Sequence, residues 1–294
     1  MRRAGSDRAT RARDRTIRRR RLVALTVLLA AFAVAGMLVA RAALRVDRHG
    51  AKLLTITVDS RAVGRAEKVN IVVPKGKGLD SGQPLLIFLH GRSGSESSYT
   101  DDEAFYSALA KIGSKAPIVA FPDGGEHSYW HNRRGGHWGA YVMREVIPKV
   151  ITTTAASKRR VAIGGISMGG FGAYDLGLEH PGRFCAVGGH SPALWLRGAD
   201  TAPGAFDDAE DFDHHDVIAR VRADPGAFGP IPIWNDAGKQ DPFGISDVAL
   251  DEALHSGGAN LTAHRWSGGH DLSYWDRHWL AYLRFYARAL ARCG

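Results

Sequence analysis

The sequence predicts an α/β fold: a mostly parallel sheet covered by helices on both faces, preceded by one N-terminal transmembrane helix. Three observations support it. Short apolar runs alternate with segments of helical spacing from residue 53 to the C-terminus, the pattern of parallel strands joined by crossover helices. One run, residues 161–164, opens directly into a Gly-x-Ser-x-Gly turn at Gly165, Ser167 and Gly169. Residues 22–40 carry no charge, and at about 1.5 Å per residue such a helix covers roughly 28 Å, close to a bilayer core.

The N-terminal region divides by charge. Residues 1–45 hold 12 of the 39 basic residues and two of the 30 acidic ones. The remaining 27 basic and 28 acidic groups leave the rest of the chain near neutrality. The overall charge of +9 is therefore a topology signal and not a nucleic-acid footprint. Arg18 to Arg21 directly precede the apolar run, so residues 1–21 are expected to stay in the cytoplasm as a basic arm. Residues 22–40 are then a signal-anchor, 41–51 a linker, and 52–294 a catalytic domain outside the cytoplasm. A cleaved signal peptide is the rival reading, since Ala33-Val34-Ala35 and Ala40-Arg41-Ala42 have the small-x-small pattern. It also places the domain outside. Cys185 and Cys293 are the two cysteines; in an exported domain they can pair or stay separate, and their spacing leaves both open.

In chain order, residues 53–58 and 69–73 flank Gly64 and predict an entry hairpin. Residues 85–89 are continuously apolar and predict a buried strand. A helix is expected over 101–112, a short strand over 118–121, and a helix over 138–150. The turn strand 161–164 leads into a helix over 171–180. Strands are expected at 185–188, 231–236 and 261–266, and helices at 213–221, 248–256 and 274–292. Residues 193–211 show no periodicity and fall between a strand and a helix, where an insertion over a site would lie.

The chemistry starts at Ser167. A strand, a sharp turn and a helix are the setting of a nucleophile elbow, in which only small residues fit two positions either side of the serine. The start of the helix favours the negative charge that develops when an ester is attacked. A serine hydroxyl needs a base, and the base needs an orienting carboxylate. In α/β-hydrolases these follow the serine in the order acid, then histidine. His270 follows the last strand in Ser267-Gly268-Gly269-His270 and is the expected base. The acid is Asp241 or Asp236, with Asp241 favoured because it lies past the Gly238 turn and can reach back. The oxyanion donors are expected to be the backbone N–H groups of Met168 and Arg92. His90 is expected to brace its loop, and Asp271 to cap the final helix. The loop 127–137, which carries Tyr129, Trp130 and His131, is expected to line the pocket, and Trp130, His131 and Trp195 are the candidate substrate contacts. Two histidine groupings, His127-His131-His137 and His214-His215, lack metal-site spacing, and no metal or cofactor is predicted.

Four stretches, LLIFLHG (85–91), GISMGGFGA (165–173), GKQDPF (238–243) and GGHDLSYW (268–275), resemble the esterase family that contains esterase D (the S-formylglutathione hydrolases) and the antigen 85 mycolyltransferases. The resemblance covers roughly residues 53–291. It implies an α/β-hydrolase fold, an acid at Asp241, a base at His270, and oxyanion donors at Arg92 and Met168. The chain departs from the mycolyltransferase side in having Asp where those enzymes carry Glu. The function this implies is a serine esterase outside the cytoplasm, acting on a small-molecule, lipid or glycolipid ester through an acyl-enzyme. An acyltransferase working on an envelope sugar or lipid is the second reading. A catalytically idle fold serving as a surface binding module is the third.

Overall fold

The computed structural model describes residues 46–79 and 82–293. The expected basic arm and apolar segment, 1–21 and 22–40, lie outside the described residues. Among the described residues no helix is long and apolar enough to cross a membrane.

Eight strands form one sheet, in the spatial order β1-β2-β4-β3-β7-β8-β9-β10. They are β1 (Lys52–Ser60), β2 (Arg65–Val73), β3 (Leu85–Leu89), β4 (Ile118–Pro122), β7 (Val161–Ile166), β8 (Val187–His190), β9 (Ile233–Gly238) and β10 (Leu261–Trp266). The β1–β2 hairpin is antiparallel from Lys52↔Val73 to Ser60↔Arg65, and β2 is antiparallel to β4. Every other pairing is parallel. Strands β3, β4 and β7 are buried at every position, as a sheet covered on both faces requires. The order and polarity are consistent with an α/β-hydrolase fold. A separate ribbon of β5 (Asn132–Arg133) and β6 (Gly136–His137) lies in the polar loop, too short to be read from sequence.

Among the described residues the helices are α1 (Glu103–Ile112), α2 (the consecutive stretches Trp138–Ala140, Tyr141–Val146 and Ile147–Thr154), α3 (Met168–Glu179), α4 (Ala209–His215), α5 (Val217–Ala223), α6 (Gly244–Ser256) and α7 (Leu272–Arg292). The two faces are told apart by what the glycines of the strands admit. A Cβ on Gly164 or Gly188 would fall on the Tyr286 hydroxyl of α7, whereas one on Gly189 would meet the Tyr174 ring of α3. Adjacent strand residues point to opposite faces, so α7 covers one side and α3 the other. The side chain of Asn235, the register partner of Gly189, donates to the Asp247 carbonyl of α6, which puts α6 on the α3 side. Helix α1 joins α7, where Phe105 meets Trp279 at 5.2 Å.

Two predicted helices differ in detail. The segment expected at 138–150 is α2, which runs as Trp138–Ala140, a π-helical stretch Tyr141–Val146, and Ile147–Thr154. Pro148 has no N–H to give to the helix. Glu145 within the stretch accepts the backbone N–H groups of Arg61 and Ala62 and so grips the β1–β2 turn. The helix expected at 213–221 is split into α4 and α5, because Asp216 turns out of helical geometry at ψ 95° and its carboxylate caps the N–H of Ala219.

A disulfide joins Cys185, just before β8, to Cys293, just after α7, closing the choice that spacing left open. It pins the end of the longest helix to the sheet across a sequence separation of 108. Cross-linking so long a loop restricts the unfolded chain, so Cys293→Ser should cost about 2–5 kcal/mol. Urea unfolding with and without reductant measures this; coincident curves for the wild type under both conditions would exclude a stabilising bond.

Candidate active site

Residue Ser167 stands between the last residue of β7 and the first of α3, at φ 55° and ψ −117°, a conformation that L-residues adopt only under constraint. The constraint is close packing of the turn. A Cβ on Gly165 would lie 2.6 Å from the Leu89 carbonyl oxygen, and one on Gly169 would fall on the same oxygen. The two glycines therefore let the start of α3 press against the end of β3. The Ser167 carbonyl accepts the N–H groups of Phe171 at 3.1 Å and Ala193 at 3.0 Å, and its own N–H donates to the His190 carbonyl at 3.0 Å.

The hydroxyl of Ser167 donates to His270 Nε2 at 2.9 Å, and His270 Nδ1 donates to Asp241 Oδ2 at 2.9 Å. The Asp241 side chain is fully buried, while that of His270 is 21% exposed, so the acid is shielded and the base is open to a ligand. The loops holding them are stitched together. Lys239 N–H donates to the Trp266 carbonyl and Gln240 N–H to the Gly268 carbonyl, and Gln240 Oε1 accepts the Gly268 N–H. Gly238 permits this approach, since a Cβ there would meet the Gly268 backbone. Asp271 caps α7 through the Tyr274 N–H, as the sequence predicts.

The alternative acid, Asp236, is committed elsewhere. Its buried carboxylate accepts His190 Nδ1 at 2.8 Å, Trp234 Nε1 at 2.6 Å, and the hydroxyls of Tyr274 and Tyr282 at 2.8 and 2.9 Å. The hydroxyl of Tyr286 donates to the other nitrogen of His190. Burial holds His190 below its ordinary pKa despite the opposing pull of Asp236. With four donors satisfied, Asp236 is a structural centre between β9 and α7.

His90 braces its loop as expected: Nδ1 donates to the Gly91 carbonyl at 2.8 Å and Nε2 accepts the Gly124 N–H at 2.8 Å. This holds Gly91 against Ser167 so closely that a Cβ on Gly91 would lie 3.3 Å from the Ser167 Cβ, tighter than an ordinary contact. Arg92 lines the cavity at Ser167, and its guanidinium donates to the Pro203 carbonyl. Met168 opens α3, so its N–H is among those a helix leaves unpaired within itself.

The cavity beside Ser167 measures about 560 Å³, and Tyr129, Phe243, Leu272 and Trp275 supply its large apolar walls. Tyr129 belongs to the loop expected to line the pocket, whereas Phe243, Leu272 and Trp275 escaped the sequence reading, although Phe243 follows Asp241 and Leu272 follows His270 by two positions. The expected contacts need correction. Trp130 and His131 are fully buried and offer a ligand no surface. Trp130 instead donates to the His90 carbonyl, under the loop. Trp195 retains 9% exposure and stacks behind the wall, 5.5 Å from both Tyr129 and Phe243. The insertion 193–211 does flank the cavity, contributing Ala193 and Ala202, and Arg133 fastens it through Asp207 at 2.9 Å and the Gly204 carbonyl at 2.8 Å. Four non-glycine residues with positive φ, Ser93, Tyr129, Trp130 and Ser167, lie in or directly behind this cavity, the clustering of strain typical of functional sites.

Behind the wall lies a buried polar chain. His131 Nε2 donates to Asp211 at 3.1 Å, and His215 Nδ1 donates to both oxygens of Asp175 at 3.0 Å, with Arg220 on the same carboxylate at 2.6 Å. One ligand atom each from His131, Asp211 and His215 lie within 4.8 Å of one another, a grouping drawn from the two histidine clusters that were separate in sequence. Burial resists the charge on Asp211, but the His131 bond, the Asp207 N–H and the neighbouring rings bring its pKa down to about 2. Burial likewise opposes charge on His215, and the Asp175 carboxylate, with Glu179 and Asp211, raises its pKa above the ordinary value.

Comparison with known proteins places these features in a family. The Esterase family model ("Putative esterase") matches residues 60–286. An acetyl esterase of Caldicellulosiruptor saccharolyticus is 21% identical over 217 residues, 66% of this chain and 79% of that protein. An S-formylglutathione hydrolase of Bos taurus is 25% identical over 196 residues, 57% of this chain and 67% of that protein. A ferulic acid esterase structure superposes with a TM-score of 0.71 at 20% identity, covering 81% of this chain and 98% of the other.

The buried chain behind the wall makes a pH prediction. A histidine whose pKa is raised on folding contributes stability that is complete below its unfolded value, near 6.5, and lost as pH rises through the folded value. The stability difference between wild type and His215→Gln should therefore be largest below pH 6.5 and shrink on the alkaline side. Urea unfolding of both proteins across this range measures it; a difference that grows with pH would mean that His215 is neutral.

Proposed function

The chain belongs to the Esterase family, and we propose that it works as a serine esterase through the relay Ser167, His270 and Asp241. It is a serine carboxylic ester hydrolase by family; the residue roles and the acyl-enzyme are the proposal. The observation that supports it most directly is that one imidazole bridges the elbow serine and a buried carboxylate, each at 2.9 Å. In the proposed reaction Ser167 Oγ attacks the ester carbonyl and His270 Nε2 takes its proton. Asp241 holds the ring by Nδ1 and stabilises the imidazolium that forms. The N–H groups of Met168 and Arg92 receive the oxyanion. His270 then returns its proton to the leaving alcohol, and water repeats the sequence in reverse on the acyl-enzyme. The apolar walls suit an ester whose acyl part is apolar.

A second reading, transfer to an alcohol, has one observation in its favour. A polar basin of about 600 Å³, lined by Arg65, Asp123, His127 and Arg133 among others, meets the catalytic cavity at Gly94. A hydroxylated acceptor such as an envelope sugar or glycolipid fits its chemistry. An added alcohol diverting acyl groups from water in a p-nitrophenyl ester assay would favour transfer.

The proposed location is outside the cytoplasm, held by residues 22–40 as an anchor. The arginines at 18–21 support the orientation, and a disulfide suits an oxidising compartment.

Two experiments test these proposals. Ser167→Ala should lower p-nitrophenyl ester turnover by roughly 10⁶-fold and Asp241→Asn by about 10⁴-fold. Asp236→Asn should reduce stability while leaving the relay in place. Near-wild-type turnover in Asp241→Asn would remove it from the relay. For topology, protease added to intact cells should digest the domain yet spare an epitope tag within residues 1–20, and the protein should stay with membranes in high salt. A soluble domain beginning near Ala43 would identify a cleaved signal instead.

A further inference from the structure

A second cavity, larger than the one at Ser167, lies elsewhere in the fold. A groove of about 700 Å³ runs between β10, the edge strand of the sheet, and the C-terminal half of α7. Its apolar lining includes Pro232, Trp234, Phe285 and the Cys185–Cys293 bridge. Arg284, Arg288 and Arg292 rim it, all exposed. They recur at every fourth position, so they form one row about 12 Å long on the helix. After Asp276 the helix carries no acid, and among the described residues none of the three arginines has an ion-pair partner.

The row is part of a larger cationic surface. Helix α1 runs parallel to α7: near its start Asp102 accepts Trp279 Nε1 at 2.7 Å, and Lys111 and Lys115 share a small cleft with Arg284 and Arg288 at the other end. Five cations thus converge on one face of a domain whose acids and bases, these five included, nearly balance. Complementing the helix dipoles accounts for cations in the last turn, but not for Arg284 two turns earlier, nor for an apolar cavity between them.

The position of this face matters. The groove lies where β9 and β10 begin, whereas Ser167 follows the end of β7, and these strands are parallel. The two cavities therefore lie at opposite ends of the strands. Strand β1 is antiparallel to β2, which is antiparallel to β4, so β1 runs with the parallel strands and begins at the same end as the groove, although on the opposite edge strand from β10. Chain entry, cationic face and apolar groove thus belong to the end where the parallel strands start, and the catalytic mouth to the end where they finish.

We propose that this end of the sheet docks on an anionic phospholipid surface. One acyl chain enters the groove, and its phosphate is met by Arg284, Arg288 and Arg292. Guanidinium groups bind phosphate oxygens in a matching fork geometry, and a cluster of cations at a lipid surface is attracted to anionic headgroups. The volume is within the range of small-ligand sites. The docking does not depend on the esterase reading. It rests on the proposed topology only for bringing the domain to lipid.

The test uses the full chain with the photo-crosslinking residue p-benzoylphenylalanine installed at Phe285, placed in nanodiscs of phosphatidylcholine alone or mixed with phosphatidylglycerol. Irradiation should attach phosphatidylglycerol to the peptide holding position 285, identified by mass. Replacing all three residues (Arg284→Glu, Arg288→Glu and Arg292→Glu) should cut that adduct roughly tenfold or more. The same replacements with Gln should cut it by less. Ester turnover in the same preparations reports folding, because the groove is remote from Ser167, and it should be unchanged. Should the chain fail to enter nanodiscs, the topology reading fails alone; soluble dihexanoyl phosphatidylglycerol should then still label position 285. Equal labelling by phosphatidylcholine, an adduct insensitive to the arginines, a protein crosslink, or no adduct would each overturn the docking.

Discussion

The site depends first on how closely α3 approaches β3. Gly165 and Gly169 lack side chains where any Cβ would collide with backbone, chiefly the carbonyl of Leu89. That approach forces Ser167 into its positive φ and aims its hydroxyl away from the sheet. Strain in the serine is held by backbone bonds on both of its sides, to His190, Phe171 and Ala193. The same closeness sets Gly91 beside the serine, and through His90 the loop carrying Arg92. The proposed nucleophile and the loop proposed to receive the oxyanion are therefore products of one packing contact.

Charge is managed by sorting carboxylates into separate environments. Asp241 keeps one oxygen for His270 and gives the other to the Phe243 N–H, so it orients a base that remains reachable. Asp236 is surrounded by four donors and is closed to further chemistry. Asp175 and Asp211 pair with histidines and arginine behind the pocket wall. A buried carboxylate without partners would be costly, and each of these four has its own donors. The result is several histidine–carboxylate pairs in one domain, of which the one at His270 reaches a serine.

How much of this was legible from sequence follows from range. The elbow, His270 and Asp271 were readable because each is decided within a few residues by glycine, strand ends and helix starts. Choosing Asp241 over Asp236 needed only the turn after β9. Most of the pocket wall was not readable: the loop of Tyr129 was expected to line it, but Phe243 before α6 and Leu272 and Trp275 in the first turn of α7 join Tyr129 only in the fold. Trp130 and His131 were misplaced for a related reason. In a loop rich in polar residues and glycine, aromatic side chains look available. Here Gly124 and Gly172 make room for the Trp130 ring beneath the loop, and a glycine's purpose is visible only with its neighbour in place. The π-helical stretch and the break at Asp216 likewise answer to tertiary partners, Glu145 with the β1–β2 turn and a carboxylate cap.

The stitched loops after β9 and β10 have a mechanical meaning. Asp241 and His270 are held together through Gln240, Gly268 and Gly238, whereas the backbone of the turn that holds Ser167 is tied instead to His190, Phe171 and Ala193, and the two parts meet at the Ser167–His270 bond. The proposed relay thus consists of two stiff parts joined by the sheet itself, one seated on β7 and one on β9 and β10, with β8 between them. Whether they meet is decided by the accumulated twist across those strands. Substitutions that change how α7 or α3 lies on the sheet can therefore alter catalytic alignment without touching a catalytic residue. Changes in the 193–211 insertion, which hangs from Arg133, can reshape the pocket and leave that alignment alone.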